Sequence, residues 1–205
     1  ACIHAPYKRP TRPMQNRTKF LSATPEPFTS MRENSDKQRI HQFMELLGRK
    51  VNSPVDVYFT GGVTTVLFDI REMTLDINVK FEPDSGDVYT AIKEIKQELN
   101  MNIELAAPDQ FLPPLPGWQS RSIFITSVGK ASFYHYDIYS QILSKLERSW
   151  SKDLSDAKGL YRKNVDIDKL TDLFYSTEKD YDKYPGVDFK ELEKKLIQFR
   201  NEVLG

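Results

Sequence analysis

Val55-Asp56-Val57-Tyr58-Phe59-Thr60-Gly61-Gly62, with Arg71, Thr74 and Leu75-Asp76-Ile77-Asn78-Val79-Lys80 downstream, spells strand, tight turn, short helix and second strand. The β-branched and aromatic run from Val55 to Phe59 predicts the first strand, and the twin glycine turns the backbone where side chains would block a ligand. Val63 to Phe68 predicts a short helix whose free N–H groups face an anion. From Leu75 to Lys80 the side chains alternate with period two, so Leu75, Ile77 and Val79 face a core while Asp76, Asn78 and Lys80 share the other face. Two oxygen ligands two residues apart on one strand can reach one Mg²⁺ ion, and a glycine turn beside them can cradle phosphate.

The flanking sequence supplies the layers such a strand pair needs. Upstream, Ser35 and Gln38 read as a capping box, Ile40, Phe43, Met44 and Leu47 fall at helical spacing, and Gly48 stops the helix. Downstream, Pro83 to Gly86 predicts a turn and Asp87 caps a helix with Val88, Ile92, Ile95 and Leu99 on one face, ended by Asn100. Ile103 to Ala106 predicts a short strand, Pro108 to Trp118 a long proline-rich loop, and Ser122–Val128 with Ala131–Tyr136 a hairpin about Gly129-Lys130. That completes a mixed sheet of about five strands. The rest predicts helices: one capped by Asp137 and burying Ile138, Ile142 and Leu146, one from near Lys152, and one capped by Asp168 with Leu170, Leu173 and Phe174. The last opens on an Asp188-to-Glu191 capping box and buries Phe189, Leu192, Leu196, Phe199 and Val203.

Composition sets the class. At 205 residues and 39% hydrophobic content the chain can bury a core of ordinary single-domain size. No run of about eighteen apolar residues predicts a membrane span, and the N-terminal segment lacks the apolar stretch of a secretion signal. Cys2 has no partner, and His4, His41 and His135 are scattered, so neither a disulfide nor a zinc cluster is expected and a cytoplasmic setting fits. Residues 1–30 hold five basic side chains against one acidic, together with five prolines, and read as a basic, loosely attached or incidental arm, Met31 being a candidate natural start. Of the 29 basic and 29 acidic residues, 24 and 28 remain in 31–205, a net of −4 that argues against broad electrostatic binding of RNA.

Gly61-Gly62, Arg71-Glu72-Met73-Thr74-Leu75-Asp76-Ile77-Asn78, and Lys145-Leu146-Glu147-Arg148 leading to Lys152-Asp153-Leu154-Ser155-Asp156 occur in the order found in one family. Over residues 31–175 the chain resembles the nucleotidyltransferase-like fold proteins related to the bacterial abortive-infection and MenA-type toxins. The resemblance implies an α+β fold: a nucleotidyltransferase-like core over 31–136, with a mixed sheet flanked by helices, and a C-terminal helical region over 137–205 packed on it. It implies Asp76, Lys145 and Asp153 as catalytic residues, and Gly61, Gly62, Thr64, Arg71 and Thr74 as nucleotide contacts. Asp76 and Asn78 would be ligands for Mg²⁺ or Mn²⁺. The expected substrate is a nucleoside triphosphate, the acceptor an RNA, tRNA among the candidates, or another hydroxyl, and a cognate antitoxin a partner. The departure is Asn78, where the family's metal strand usually carries a second Asp. An amide supplies an oxygen without charge, so a non-catalytic binding, antitoxin or scaffold protein on the same fold is the alternative.

Each motif also has a plainer reading. The glycine pair fits an ordinary turn, Asp76 and Asn78 the solvated face of a strand, and Lys145, Arg148, Lys152, Asp153 and Asp156 an exposed helix face with charge pairs. Asp153, Asp156 and Glu104 all stand as candidates for a further acid beside Asp76. Tyr134 and Tyr136 invite base stacking, though core packing explains them as well, and Trp118 is either a lid or an aromatic plug.

Overall fold

A computed structural model describes residues 33–149 and 151–205. The basic segment 1–30, with Cys2, His4 and Met31, lies outside the described residues. The elements run α1 (Lys37–Lys50), β1 (Val55–Thr60), α2 (Gly61–Leu67), β2 (Asp76–Glu82), α3 (Gly86–Glu98), β3 (Asn102–Leu105), α4 (Trp118–Arg121), β4 (Ile123–Val128), β5 (Ala131–His135), α5 (Ile138–Arg148), α6 (Ser151–Tyr161), α7 (Ile167–Ser176) and α8 (Phe189–Leu204). The five strands lie in the order β3-β2-β1-β5-β4. β1 is antiparallel to β2 and parallel to β5, and β2 is parallel to β3. The fold is therefore α+β with a mixed sheet flanked by helices and followed by a helical region, as expected.

Alternation along the strands decides which face is dry. Val55, Val57 and Phe59 of β1, Ile77, Val79 and Phe81 of β2, and Phe133 of β5 are buried against Phe43 and Leu47 of α1, Val63 and Val66 of α2, and Ile92 and Ile95 of α3. Each side chain of that size contributes about 1.5–3 kcal/mol on burial, so this face holds the sheet together. A second core joins α5 to α8: Ile138, Ile142 and Leu146 pack with Leu170, Phe174, Leu192, Leu196 and Phe199. Among the described residues no helix is long and apolar enough to cross a membrane.

Several boundaries differ from the sequence reading, each for a local reason. Asp36 caps α1, its carboxylate accepting the Arg39 N–H at 2.9 Å, because Ser35 is paired through its backbone with Thr74. Gly48 does not stop α1, which runs on to Lys50. A Cβ on Gly48 would lie 2.2 Å from the Val128 carbonyl oxygen, so the glycine is there to let the helix touch the β4–β5 turn. Asp166, and not Asp168, caps α7, and Asp168 binds Arg200 from the first turn. Ser85, and not Asp87, is the residue before α3, while the Asp87 carboxylate accepts the Asn52 N–H. Leu75 precedes β2 and is 55% exposed, so only Ile77, Val79 and Phe81 face the core.

Candidate functional site

The site is built by α5 reaching back to the β1–α2 turn. Asp137, at the start of α5, is wholly buried, and Arg121 grips both its oxygens, Nε to Oδ1 at 3.0 Å and Nη2 to Oδ2 at 2.9 Å. The same Oδ2 accepts the Ser140 hydroxyl at 2.7 Å. A buried carboxylate satisfied in this way fixes where the helix begins. Steps of four, four and three residues from Asp137 then place Gln141, Lys145 and Arg148 on one side of α5. The Gln141 amide joins that helix to the turn: its Oε1 accepts the Gly61 N–H at 2.9 Å, and its Nε2 donates to the Tyr136 carbonyl at 2.8 Å and the Thr64 hydroxyl at 3.2 Å.

Between these elements lies a cavity of about 570 Å³. Thr60, Gly61, Asn78, Gln141, Ser144, Lys145, Glu147 and Arg148 form one part of its wall, and residues 106–108, Gln110, Phe111 and residues 183–187 form the rest. Gly61 has φ +60°, a left-handed conformation that favours glycine, and a Cβ there would crowd the Asn78 amide nitrogen at 3.1 Å. The Asn78 Oδ1 is buried and has no hydrogen-bond partner among the described residues. An unsatisfied buried oxygen costs about 1–3 kcal/mol, which a donor or cation entering the cavity would recover.

Asp76 is absent from the cavity wall but shares the strand face of Asn78. The Asn102 amide donates to Asp76 Oδ1 at 2.6 Å and to Glu104 Oε1 at 2.7 Å, so β3 brings a second carboxylate beside Asp76. Of the three acids considered as companions for Asp76, Glu104 is the one hydrogen-bonded into its neighbourhood. Asp153 and Asp156 instead surround Lys145. Among the described residues no group of three or more His, Cys, Asp or Glu side chains is gathered for a metal. The donors present, two carboxylates and an amide oxygen, are hard ligands suited to Mg²⁺ or Mn²⁺ with phosphate oxygens completing the shell.

Lys145 is 3% exposed, and its Nζ lies 2.7 Å from Asp156 Oδ2 and 3.6 Å from Asp153 Oδ1. Arg71 Nε binds the other oxygen of Asp156 at 2.7 Å, and Arg148 binds Asp153 Oδ1 at 2.6 Å. Arg71, Asp156, Lys145, Asp153 and Arg148 therefore form a chain of five alternating charges whose inner three members are buried, so of the exposed charge-paired face that the plainer reading expects only Arg148 and Lys152 stay exposed. Burial pulls the Lys145 ammonium below its ordinary pKa, the two carboxylates opposing that shift. Three cations and two carboxylates leave this chain one positive charge in excess.

The remaining residues singled out in the sequence divide by placement. Gly61, Asn78 and Lys145 meet at the cavity. Gly62 gives way to Thr74, whose hydroxyl would sit 2.1 Å from a Cβ there, and Thr74 Oγ1 donates to the Asp76 carbonyl at 3.2 Å. Thr64 is fully buried with its hydroxyl donated to the Phe59 carbonyl at 3.1 Å, and Arg71 is spent on Asp156. These side chains shape the turn and its supports and are absent from the cavity wall. The anion-facing helix end expected after the glycines is also altered: α2 begins at Gly61, has seven residues, and its Gly61 N–H is taken by Gln141. Tyr136 and Trp118 stack on each other at 4.4 Å, both buried, so Trp118 is a plug and Tyr136 offers no face to a base. Gln141, Arg148 and Asn102 were not singled out for the site. Their signal was polar residues flanking the buried stripe of Ile138, Ile142 and Leu146, and an amide paired in register with Asp76.

A family model described as "Nucleotidyltransferase of unknown function (DUF6036)" matches residues 38–204. The chain belongs to this family. The match spans the sheet, the β1–α2 turn, the cavity and the helices through α8, so the nucleotidyltransferase-like domain and the described fold are coextensive. No curated protein and no solved structure matches the chain. Membership gives the domain its class and points to a nucleotide as substrate.

Proposed function

We propose that this chain is a divalent-metal-dependent nucleotidyltransferase of the toxin-like group, moving a nucleotidyl group from a nucleoside triphosphate to a hydroxyl of RNA, tRNA among the candidates, or of another acceptor. The observation that carries the reading is that Gly61 and Asn78 from the β1–β2 half and Lys145 and Arg148 from α5 line one cavity. In the reaction an acceptor oxygen attacks the α-phosphorus, the bond to the β-phosphate oxygen breaks, and pyrophosphate leaves. The acceptor's proton passes to a carboxylate, a role we assign to Asp76 on the strand face that Asn78 shares. Catalysis of this kind rests on position and charge. The amide and carboxylate oxygens of Asn78, Asp76 and Glu104 would hold Mg²⁺ or Mn²⁺, an ion that would neutralise developing charge on the phosphates.

Lys145 and Arg148 face the triphosphate, with Gly61 admitting it close to the backbone. Asp153 and Asp156 act through Lys145 by holding its ammonium, and Arg71, Thr64 and Thr74 position the turn and strand. A cognate antitoxin covering this cavity, and a cytoplasmic site of action, belong to the same proposal.

The test is label transfer from each α-labelled nucleoside triphosphate to total tRNA with Mg²⁺ or Mn²⁺. Transfer in wild type, abolished in Asp76→Ala, is the expected result. The uncharged Asn78 favours one rival, a domain that has lost catalysis and serves as a binding module. It predicts silence in wild type and transfer gained in Asn78→Asp. No nucleotide-dependent rise in melting temperature at any triphosphate concentration contradicts both readings.

A further inference from the structure

The cavity has two walls of different chemistry, and the reading above uses only the polar one. The other is formed by the proline-rich segment after β3 and by residues 183–187, and it presents Ala107, Pro108, Phe111, Pro185 and Val187 together with Lys183 and Tyr184. Phe111 stands out there. It is 57% exposed, lines the cavity, and makes no ring–ring or cation–ring contact with any described residue. Tyr184, the other aromatic residue of this wall, is tied through its hydroxyl to the Asp109 carbonyl, and Tyr58, Tyr134, Tyr136 and Trp118 pack among themselves at 4.4–6.3 Å.

Exposing a phenylalanine to water is unfavourable unless something covers it, and here the backbone beneath it is held in place. Pro108 opens a single 3₁₀ turn, the Phe111 N–H donates to the Pro108 carbonyl at 3.0 Å, and the Tyr184 hydroxyl donates to the Asp109 carbonyl at 3.2 Å. That last bond fastens the two segments of the apolar wall together. Gln110, next to Phe111 on the cavity wall, has its Oε1 turned to the Ala107 N–H at 3.4 Å, which leaves the amide NH₂ for a partner in the cavity. An aromatic face with an amide donor beside it suits a flat heteroaromatic ring carrying acceptors at its edge.

We propose that Phe111 is the stacking platform for the nucleobase of the triphosphate, and that Gln110 reads the edge of that base. The inference rests on the nucleotidyltransferase reading and deepens it by giving the cavity a polarity. Phosphates lie against Lys145 and Arg148, and the base lies against Phe111. A volume of about 570 Å³ falls within the ordinary range for a site burying a ligand of this size.

The test separates base from phosphate. Binding of ATP, GTP, CTP and UTP, and of inorganic tripolyphosphate, is measured by calorimetry with Mg²⁺ and no RNA, in wild type, Phe111→Ala, Phe111→Trp and Gln110→Ala. Wild type is expected to bind at least one nucleoside triphosphate about tenfold more tightly than tripolyphosphate, the size of one base-stacking contact. Phe111→Ala brings that nucleotide down to the tripolyphosphate level with tripolyphosphate itself unchanged, Phe111→Trp keeps the preference, and Gln110→Ala narrows the difference among bases. Because Phe111 is exposed, the alanine variant is expected to melt with wild type, which separates lost stacking from lost folding.

Nucleoside triphosphate binding unchanged in Phe111→Ala overturns the inference, even if RNA binding falls, because the ring would then serve the acceptor. Equal affinity of wild type for tripolyphosphate and all four nucleotides also overturns it while leaving the phosphate side of the reading intact. Failure of wild type to bind any of the five ligands overturns the nucleotidyltransferase reading and this inference together.

Discussion

Lys145→Met removes the buried cation at the centre of the charge chain and leaves Asp153 and Asp156 each with one arginine. Breaking a buried ion pair by deleting one partner costs about 3–5 kcal/mol, because the surviving charge stays buried without compensation. Here Arg71 still binds Asp156 Oδ1 and Arg148 still binds Asp153 Oδ1, so the cost falls at the lower end, about 3 kcal/mol. For a domain of this size that lowers the melting temperature by about 6–12 °C. The arginines do not cancel the loss: the Asp156 Oδ2 that Lys145 binds at 2.7 Å has no other hydrogen-bond donor among the described residues.

The assay is urea unfolding of wild type, Lys145→Met, Asp156→Asn and the double variant. The two single losses should sum to more than the double loss by about 1–3 kcal/mol, the coupling expected of neighbours in one network. Lys145→Met melting within 2 °C of wild type, or single losses that simply add, would refute the reasoning. The charge chain would then be an accident of packing with no energetic coupling.

Three further outcomes follow from particular contacts. Burial lowers the His135 pKa to about 4 from an ordinary value near 6.5, so below pH 6.5 the unfolded chain binds the extra proton and the folded one does not. Stability is full above pH 6.5 and falls with pH down to about 4. The loss is about 2 kcal/mol between pH 6.5 and 5, and denaturant unfolding of His135→Gln across that range should show this part of the slope gone. Gly48→Ala drives a methyl to 2.2 Å from the Val128 carbonyl, backbone against backbone, and should cost about 3 kcal/mol in urea unfolding, with a loss under 1 kcal/mol contradicting the close-approach argument. Gln141→Leu leaves the Gly61 N–H and the Tyr136 carbonyl without their partner and should destabilise by about 2 kcal/mol by the same measurement.

The sheet and most helices were legible because periodicity carries them. The β-branched and aromatic run of β1, the alternation in β2, the Gly129-Lys130 hairpin, and the helical stripes of α3, α5 and α8 reappear in the folded chain. Caps were less legible, since Ser35 and Asp36, or Asp166 and Asp168, are equally good acceptors and only tertiary contacts choose between them. Gly48 was misread for a related reason: glycine ends helices, but it also admits close neighbours, and the sequence does not display the β4–β5 turn lying against it.

The site was legible in part. Motif order brought Gly61, Asn78 and Lys145 to attention, and they share a cavity wall. It did not reveal that Thr64 and Arg71 are consumed by internal bonds, because burial and pairing depend on α5 and α6, up to 85 residues away. Nor did local pattern expose the apolar wall at Phe111. That wall exists only because residues 106–111 and 183–187, far apart in the chain, close on each other through Tyr184.

The central claim is that the bond broken lies between the α- and β-phosphates and that the nucleotide, not a phosphoryl group, is passed on. Paired reactions with acceptor RNA, one containing nucleoside triphosphate labelled at the α-phosphate and the other at the γ-phosphate, decide it. The account predicts that the α-label moves onto RNA and the γ-label appears in pyrophosphate. Transfer of the γ-label to the acceptor, or its release as orthophosphate with no α-label moved, would contradict it.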